Sequence, residues 1–285
     1  MPTDLQSLLA PFLVAVPDSS AGVERPFGYE PFAMPVRGLA GVAEREPNAV
    51  WLEQLRAADA LMAQTQYLDT PIEPDIDLTE FAEDGGALYT QVFAARVVAM
   101  PAPGDGVSLG VGIGVDFWGE LAKLRCIKAI AAKAGVKLEL HVHGLASNMV
   151  AADGYSNILR LSTMALAAHL AGAAFVYLPP FSAEDSGLHQ AVRQNIQNLI
   201  VHEVRLPNGQ SAITGSYWFD LLCLRLLAAS ETVPSLEALE EADNAVAARR
   251  TADAAEGRQV WVGQTRFQNE LLTIPGPMPA GYHAW

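Results

Sequence analysis

Between Val107 and Arg193 the chain repeats one pattern: a short apolar or β-branched run, a loop, then a longer stretch of helical period. SLGVGIGV (Ser108 to Val115) leads into DFWGELAKLRCIKAIAAKAG, KLELHVH leads into SNILRLSTMALAAHLAG, and AAFVYL leads into LHQAVRQNIQNLIVHE. Parallel strands must be joined by crossovers long enough to carry the chain back over the sheet. A succession of such units therefore predicts an α/β architecture built on a parallel sheet. Asp116 stands where the first helix needs an N-cap and Gly135 where it needs a left-handed stop, and Asp153 precedes the second helix in the same way.

The flanking segments read differently. ERPFGYEPFAMPVRG (Glu24 to Gly38) holds too much Pro and Gly for a long helix or a central strand, so the first part of the chain reads as an extended arm. Val50, Leu52, Leu55, Ala58, Leu61 and Met62 recur at helical spacing and predict a helix from Asn48 to Tyr67. The acidic stretch from Glu73 to Asp84 reads as a loop, Ala87 to Met100 as a second helix, and PAPGDG as a break. After the third strand–helix unit come helices from Ser216 to about Ala229 and from Ser235 to about Ala255, then the tail LTIPGPMPAGYHAW. The expected division is residues 1–100 as arm and helices, 101–270 as the β/α portion and 271–285 as tail.

With 285 residues, 51% of them hydrophobic, the chain has ample material for a core. Its formal charge of −14 repels phosphate backbones and anionic membrane surfaces, so neither nucleic acid nor membrane is expected as a partner. The lysines, Lys123, Lys128, Lys133 and Lys137, spread round a helix and read as its solvated edge, with a CoA phosphate as the alternative reading. Cys126 and Cys223 lie in apolar helical patterns and read as small core residues. No basic region precedes the first apolar run, where Asp4 sits instead, and no window is apolar for long enough to span a bilayer. A cytoplasmic location is expected.

Several segments resemble, in order and spacing, the barrel of the adenosylcobalamin-dependent acyl-CoA mutases. IGVDFWGELAKLR (Ile113 to Arg125) resembles the family's Phe-Phe-X-Glu-Ile-Ala-Lys-X-Arg run through Trp118, Glu120, Ala122, Lys123 and Arg125. DGYSNILRLSTMALAAHLAGA keeps Asp153, Tyr155, Asn157 and Arg160 of its Asp-Pro-Tyr-X-Asn-X-X-Arg helix, and RQNIQNLIVHE keeps Asn195 and Gln197 of Ala-Arg-Asn-Thr-Gln. GSYWFD (Gly215 to Asp220) is similar to Gly-Ser-Tyr-Tyr-Val-Glu, and VGQTRF (Val262 to Phe267) to Val-Gly-Val-Asn-X-Phe. The resemblance implies a partial or degenerate (β/α)8 TIM-type barrel with an extended N-terminal arm. It covers about two-thirds of the chain.

The departures from that family are as specific as the matches. No Asp-X-His-X-X-Gly string, whose His ligates cobalt in the family, occurs in this sequence. The family's acyl-CoA-holding arginine ahead of the Ile113 strand falls on Gly106, and LPPFS (Leu178 to Ser182) resembles the Leu-Pro-Phe-Asp version of the smaller non-catalytic barrel subunits. The resemblance thus implies a non-catalytic subunit or accessory partner, with no cofactor bound by this chain alone and adenosylcobalamin entering only through a partner. If active, the chain would be one part of an isomerase completed by a separate cobalamin-binding chain. A small-molecule binding protein reusing the old pocket is the third reading. The expected partners are a second copy or a mutase-type subunit, with acyl-CoA as the candidate ligand.

The candidate site residues are His141, His143, Tyr155, Asn157 and Tyr177. His141 and His143 stand at i and i+2 near a strand end, so they share a face where parallel β/α folds keep their sites. The matching mutase positions face the corrin ring and substrate. Their lack of an obvious third ligand argues against a metal. Arg160 and Glu120 read as members of structural ion pairs. GVSLG (Gly106 to Gly110) has the G-X-S-X-G spacing but runs into the predicted strand and does not stand between a strand and a helix, and no H-E-X-X-H or C-X-X-C is present, so the sequence offers no well-placed motif for serine hydrolase, zincin or thioredoxin-type chemistry.

Overall fold

The computed structural model describes residues 49–60, 63–79, 106–151, 153–182, 187–204 and 215–230, with single residues elsewhere up to position 267. The arm, the helix expected from Ala87 to Met100, most of the helix expected from Ser235 to Ala255, and the tail lie outside the described residues. Within them α1 (Ala49–Ala60), β1 (Gln66–Leu68), β2 (Ile76–Asp77), β3 (Gly106–Ile113), α2 (Phe117–Ala134), β4 (Lys137–Gly144), α3 (Gly154–Leu170), β5 (Phe175–Tyr177), α4 (Gly187–Asn198) and α5 (Tyr217–Ser230) follow in chain order. The strands form one five-stranded sheet in the order β1-β5-β4-β3-β2, every neighbouring pair parallel.

The α/β architecture and the three strand–helix units are as the periodicity predicts. The expected barrel is not shown: among the described residues the sheet is open, with β1 and β2 as its edges. These two short strands replace the last part of an expected helix and the middle of an expected loop. Pairing with β5 and β3 decides their conformation, and runs of three and two residues are too short to show a period. Because they precede residue 101, segments from both sides of that position share the sheet.

The side chains alternate cleanly across β3. Val107, Leu109, Val111 and Ile113 are buried on one face, and by register Leu138, Leu140 and Val142 of β4 and Val176 of β5 lie beside them. This face enters a single core with Leu121, Leu124 and Ile127 of α2, Leu161, Met164 and Ala168 of α3 and Trp51 and Leu55 of α1. The Asp116 carboxylate accepts from Gly119 N at 3.3 Å at the start of α2, and Gly135 stops the helix at φ 72°. Asp153 likewise caps α3, accepting from Ser156 N at 2.9 Å.

Helix α2 overturns the expectation of a solvated lysine edge at Lys123 and Lys128, while Lys133 and Lys137 are exposed as expected. The helix is buried continuously from Gly119 to Ala131, because α1, α3 and α5 pack round it as well as the sheet. The charged residues within that stretch are consequently hydrogen-bonded or paired inside the protein. Lys123 donates to Gly112 O at 2.5 Å and forms an ion pair with Glu120, and Lys128 donates to Ala171 O at 2.9 Å. Burial pushes the Lys128 ammonium down to about 8. Arg125 holds Asp59 through Nε and Nη2 at 2.8 and 2.7 Å and Asp220 through Nη1 at 2.6 Å, joining α1, α2 and α5 at one point. Burial would lower that guanidinium, but the hydrogen bonds it donates to Asp59 and Asp220, with the neighbouring negative charge, raise it overall. Lys133 lies over the Trp51 ring at 4.0 Å.

Cys126 and Cys223 are free and buried, as small core residues should be, with Cys126 Sγ 3.4 Å from Cys223 O. Arg160, expected in an ion pair, instead donates to Asn157 Oδ1 and to Val262 O, each at 2.7 Å, which ties α3 to the segment near Trp261. No helix among the described residues is long and apolar enough to cross a membrane.

Candidate functional site

The opposite face of the sheet has another chemistry. On β3 it carries only Gly106, Ser108, Gly110 and Gly112. By parallel register these align with Lys137, Glu139, His141 and His143 on β4, and the histidines align in turn with Phe175 and Tyr177 on β5. Gln66 and Leu68 continue the rows on β1, and Asp77 on β2 stands beside Gly110. Ring contacts follow the register: His141 meets Phe175 edge-on at 4.8 Å, and His143 meets Tyr177 at 6.1 Å. The two histidines and Tyr177 are therefore neighbours on one polar, small-residue floor.

Each imidazole has a distinct environment. His141 is 3% exposed; its Nε2 pairs with Glu139 Oε1 at 2.9 Å, while its Nδ1 is buried with no hydrogen-bond partner. A buried polar atom left unpaired costs free energy and commonly marks a functional position. His143 is half-buried, and desolvation lowers its pKa, assisted by His141 and opposed by Asp77. At neutral pH it is an uncharged ring offering one donor and one acceptor.

The segment from Asp69 to Asp75 joins the two edges of the sheet and touches this face. A Cβ on Gly110 would come within 2.7 Å of Pro74 Cγ and 2.9 Å of Asp77 Oδ1, so glycine is what lets the segment lie there. Asp75 is fixed by Ser108: its carboxylate accepts from the Ser108 N–H and hydroxyl, both at 2.8 Å. Those bonds, the backbone one first, hold the Asp75 carboxyl below its ordinary range, and His141 adds to the effect. At the other end Gln190 donates to Asp69 Oδ2 at 3.2 Å. Arg193 closes the upper rim, its guanidinium 5.9 Å from the Tyr177 ring and its Nη1 on Leu178 O at 2.9 Å, with Nε buried and unpartnered.

Tyr155 and Asn157 are not on this face. Tyr155 is 52% exposed in the first turn of α3. Asn157 is fully buried, accepts from Val150 N at 2.9 Å, and donates to Val150 O and Phe181 O at the same distance. It joins the loop after β4 to the loop after β5. Phe175, Glu139, Asp77 and Arg193 belong beside the histidines, although sequence reasoning did not single them out. Alternation from Tyr177 and His141 signals Phe175 and Glu139, whereas Asp77 takes its place only through a strand pairing the sequence does not announce. A hollow of about 520 Å³ lined by Asn195, Asn198, Leu199, His202 and Glu203 shares no residue with this face.

Among the described residues no group of three or more His, Cys, Asp or Glu is placed to hold a metal ion. No protein-family model matches the chain, and no curated protein sequence matches it.

Proposed function

We propose that the chain is a mutase-like barrel protein, a non-catalytic subunit or accessory partner of an adenosylcobalamin-dependent acyl-CoA mutase, with the His141, His143 and Tyr177 face as its ligand surface. One observation carries the reading. A filled parallel barrel turns bulky branched side chains inward from its strands, but here the long strand β3 gives that face nothing larger than Ser108. Small residues next to an unpaired imidazole nitrogen favour a bound molecule over side-chain packing. The matching order of sequence segments supplies the link to the mutases, and cobalamin would arrive on another chain.

The test is a tagged full-length chain recovered from its native cells, with calorimetry against acyl-CoA thioesters in parallel. Co-purification of a chain bearing the Asp-X-His-X-X-Gly loop, together with acyl-CoA binding, supports the proposal; the absence of both overturns it. Replacing His141 and His143 by Gln should weaken acyl-CoA binding at least tenfold, or about 1.4 kcal/mol. The purified chain alone should leave the visible spectrum of adenosylcobalamin unchanged.

A further inference from the structure

Just past the end of β5 the fold assembles a pair that no local motif advertises. Ser182 Oγ lies 2.9 Å from His189 Nε2. Ser182 lies five residues past the end of β5, and His189 sits in the first turn of α4, so both stand where parallel β/α sheets place their reactive groups, beyond the strands' carboxyl ends. His189 is 2% exposed and packs on the Phe181 ring at 4.2 Å, while Ser182 keeps 8% of its surface.

The loop carrying the hydroxyl is held at both ends. Asn157 Nδ2 donates to Phe181 O and Arg193 Nη1 to Leu178 O, each at 2.9 Å. Arg193 is one helical turn beyond His189 on α4, so the two share a face, and its buried, unpartnered Nε is a cationic donor still available. A nucleophile within reach of a base, a rigid support and a free donor for developing negative charge are the parts acyl transfer requires.

We propose that Ser182 and His189 form a nucleophile–base pair that cleaves a small carboxylic ester, with Arg193 stabilising the oxyanion. The Ser182 oxygen attacks the acyl carbon as its proton passes to His189 Nε2. Collapse of the tetrahedral adduct breaks the C–O bond, and the departing alkoxide takes that proton and leaves as the alcohol. Water then attacks the acyl-serine, giving its proton to His189 Nε2. Release of the carboxylic acid returns that proton to the Ser182 oxygen. The pair is independent of the mutase reading and uses neither His141 nor His143.

The test treats the full chain with a fluorophosphonate probe and maps the adduct by mass spectrometry, with p-nitrophenyl acetate hydrolysis as a second readout. The expected result is one adduct per chain on Ser182, abolished in Ser182→Ala and formed at least tenfold more slowly in His189→Gln. Should His189→Gln fail to fold, the pH dependence of wild-type labelling replaces it, because the rate must fall as the imidazole protonates. An unlabelled Ser182 in the folded protein, a rate unchanged in His189→Gln, or a pH-independent rate overturns the proposal.

Discussion

Two faces of one strand divide this molecule. The odd-numbered residues of β3, from Val107 to Ile113, are buried against the helices, while the even-numbered ones are Gly106, Ser108, Gly110 and Gly112, aligned with Lys137, Glu139, His141 and His143. A strand exposing both faces to helices reads as a continuous apolar run; here the second set of positions is small or polar. The helix side holds the fold together, and the other side is left to small and titratable groups. Yet the helix side is not purely apolar, since α2 brings Lys123, Arg125 and Lys128 into it.

The largest expected effect tests that last point. Arg125→Ala leaves Asp59 and Asp220 without their shared cation in a buried setting, and should cost about 3 to 5 kcal/mol. Urea unfolding at unchanged m-value measures it, and a loss below about 1 kcal/mol would show that apolar packing alone supports the helix side. Next come neighbouring substitutions on the two faces. Leu109→Ala should cost about 2 to 5 kcal/mol through cavity formation, and Gly110→Ala about 1 to 3 kcal/mol through overpacking against Pro74 and Asp77. Equal losses at the two positions would erase the distinction between a packing face and a contact floor.

Smaller still is the double replacement His141→Gln with His143→Gln, expected to lower stability by about 1 kcal/mol, because His141 Nδ1 already lacks a partner and its Nε2 bond goes to the exposed carboxylate of Glu139. Chemical denaturation beside the ligand titration separates folding from binding. A loss of several kcal/mol would make the polar face a structural element after all.

The smallest effect concerns pH. His143 has a lowered pKa in the folded protein, mainly through burial. Above the unfolded value of about 6.5 the ring is neutral in both states. As pH falls through that value the unfolded chain takes up its proton first, so stability declines with acidification. His169, lowered by burial beside Tyr67, acts in the same direction. His143→Gln should flatten the decline in a series of unfolding curves from pH 7.5 downwards, and an unchanged slope would assign it to other groups.

Much of this was legible in the sequence because it rests on local rules. The Asp116 and Asp153 caps, the Gly135 stop, the three strand–helix units and the shared face of His141 and His143 all follow from neighbours close in the chain. Lys123 and Lys128 of α2 defeated that reasoning because an amphipathic pattern cannot reveal how many sides of a helix are covered. Tyr155 and Asn157, close in sequence, separate into an exposed ring and a buried amide, since helical phase turns adjacent positions to different surroundings. Ser182 and His189 form a pair through a loop and a helix turn that carry no recognisable motif.

By itself, then, the sequence determined the α/β alternation and the residues that could occupy each face, because hydrophobic period and capping chemistry act over a few residues. Tertiary structure alone decided that β1 and β2 become the sheet's edges, that Arg125 is shared by Asp59 and Asp220, and that Asp77 joins the two histidines. Those outcomes depend on which distant segments pair and pack. Strand register and desolvation set them, and both are properties of the assembled fold.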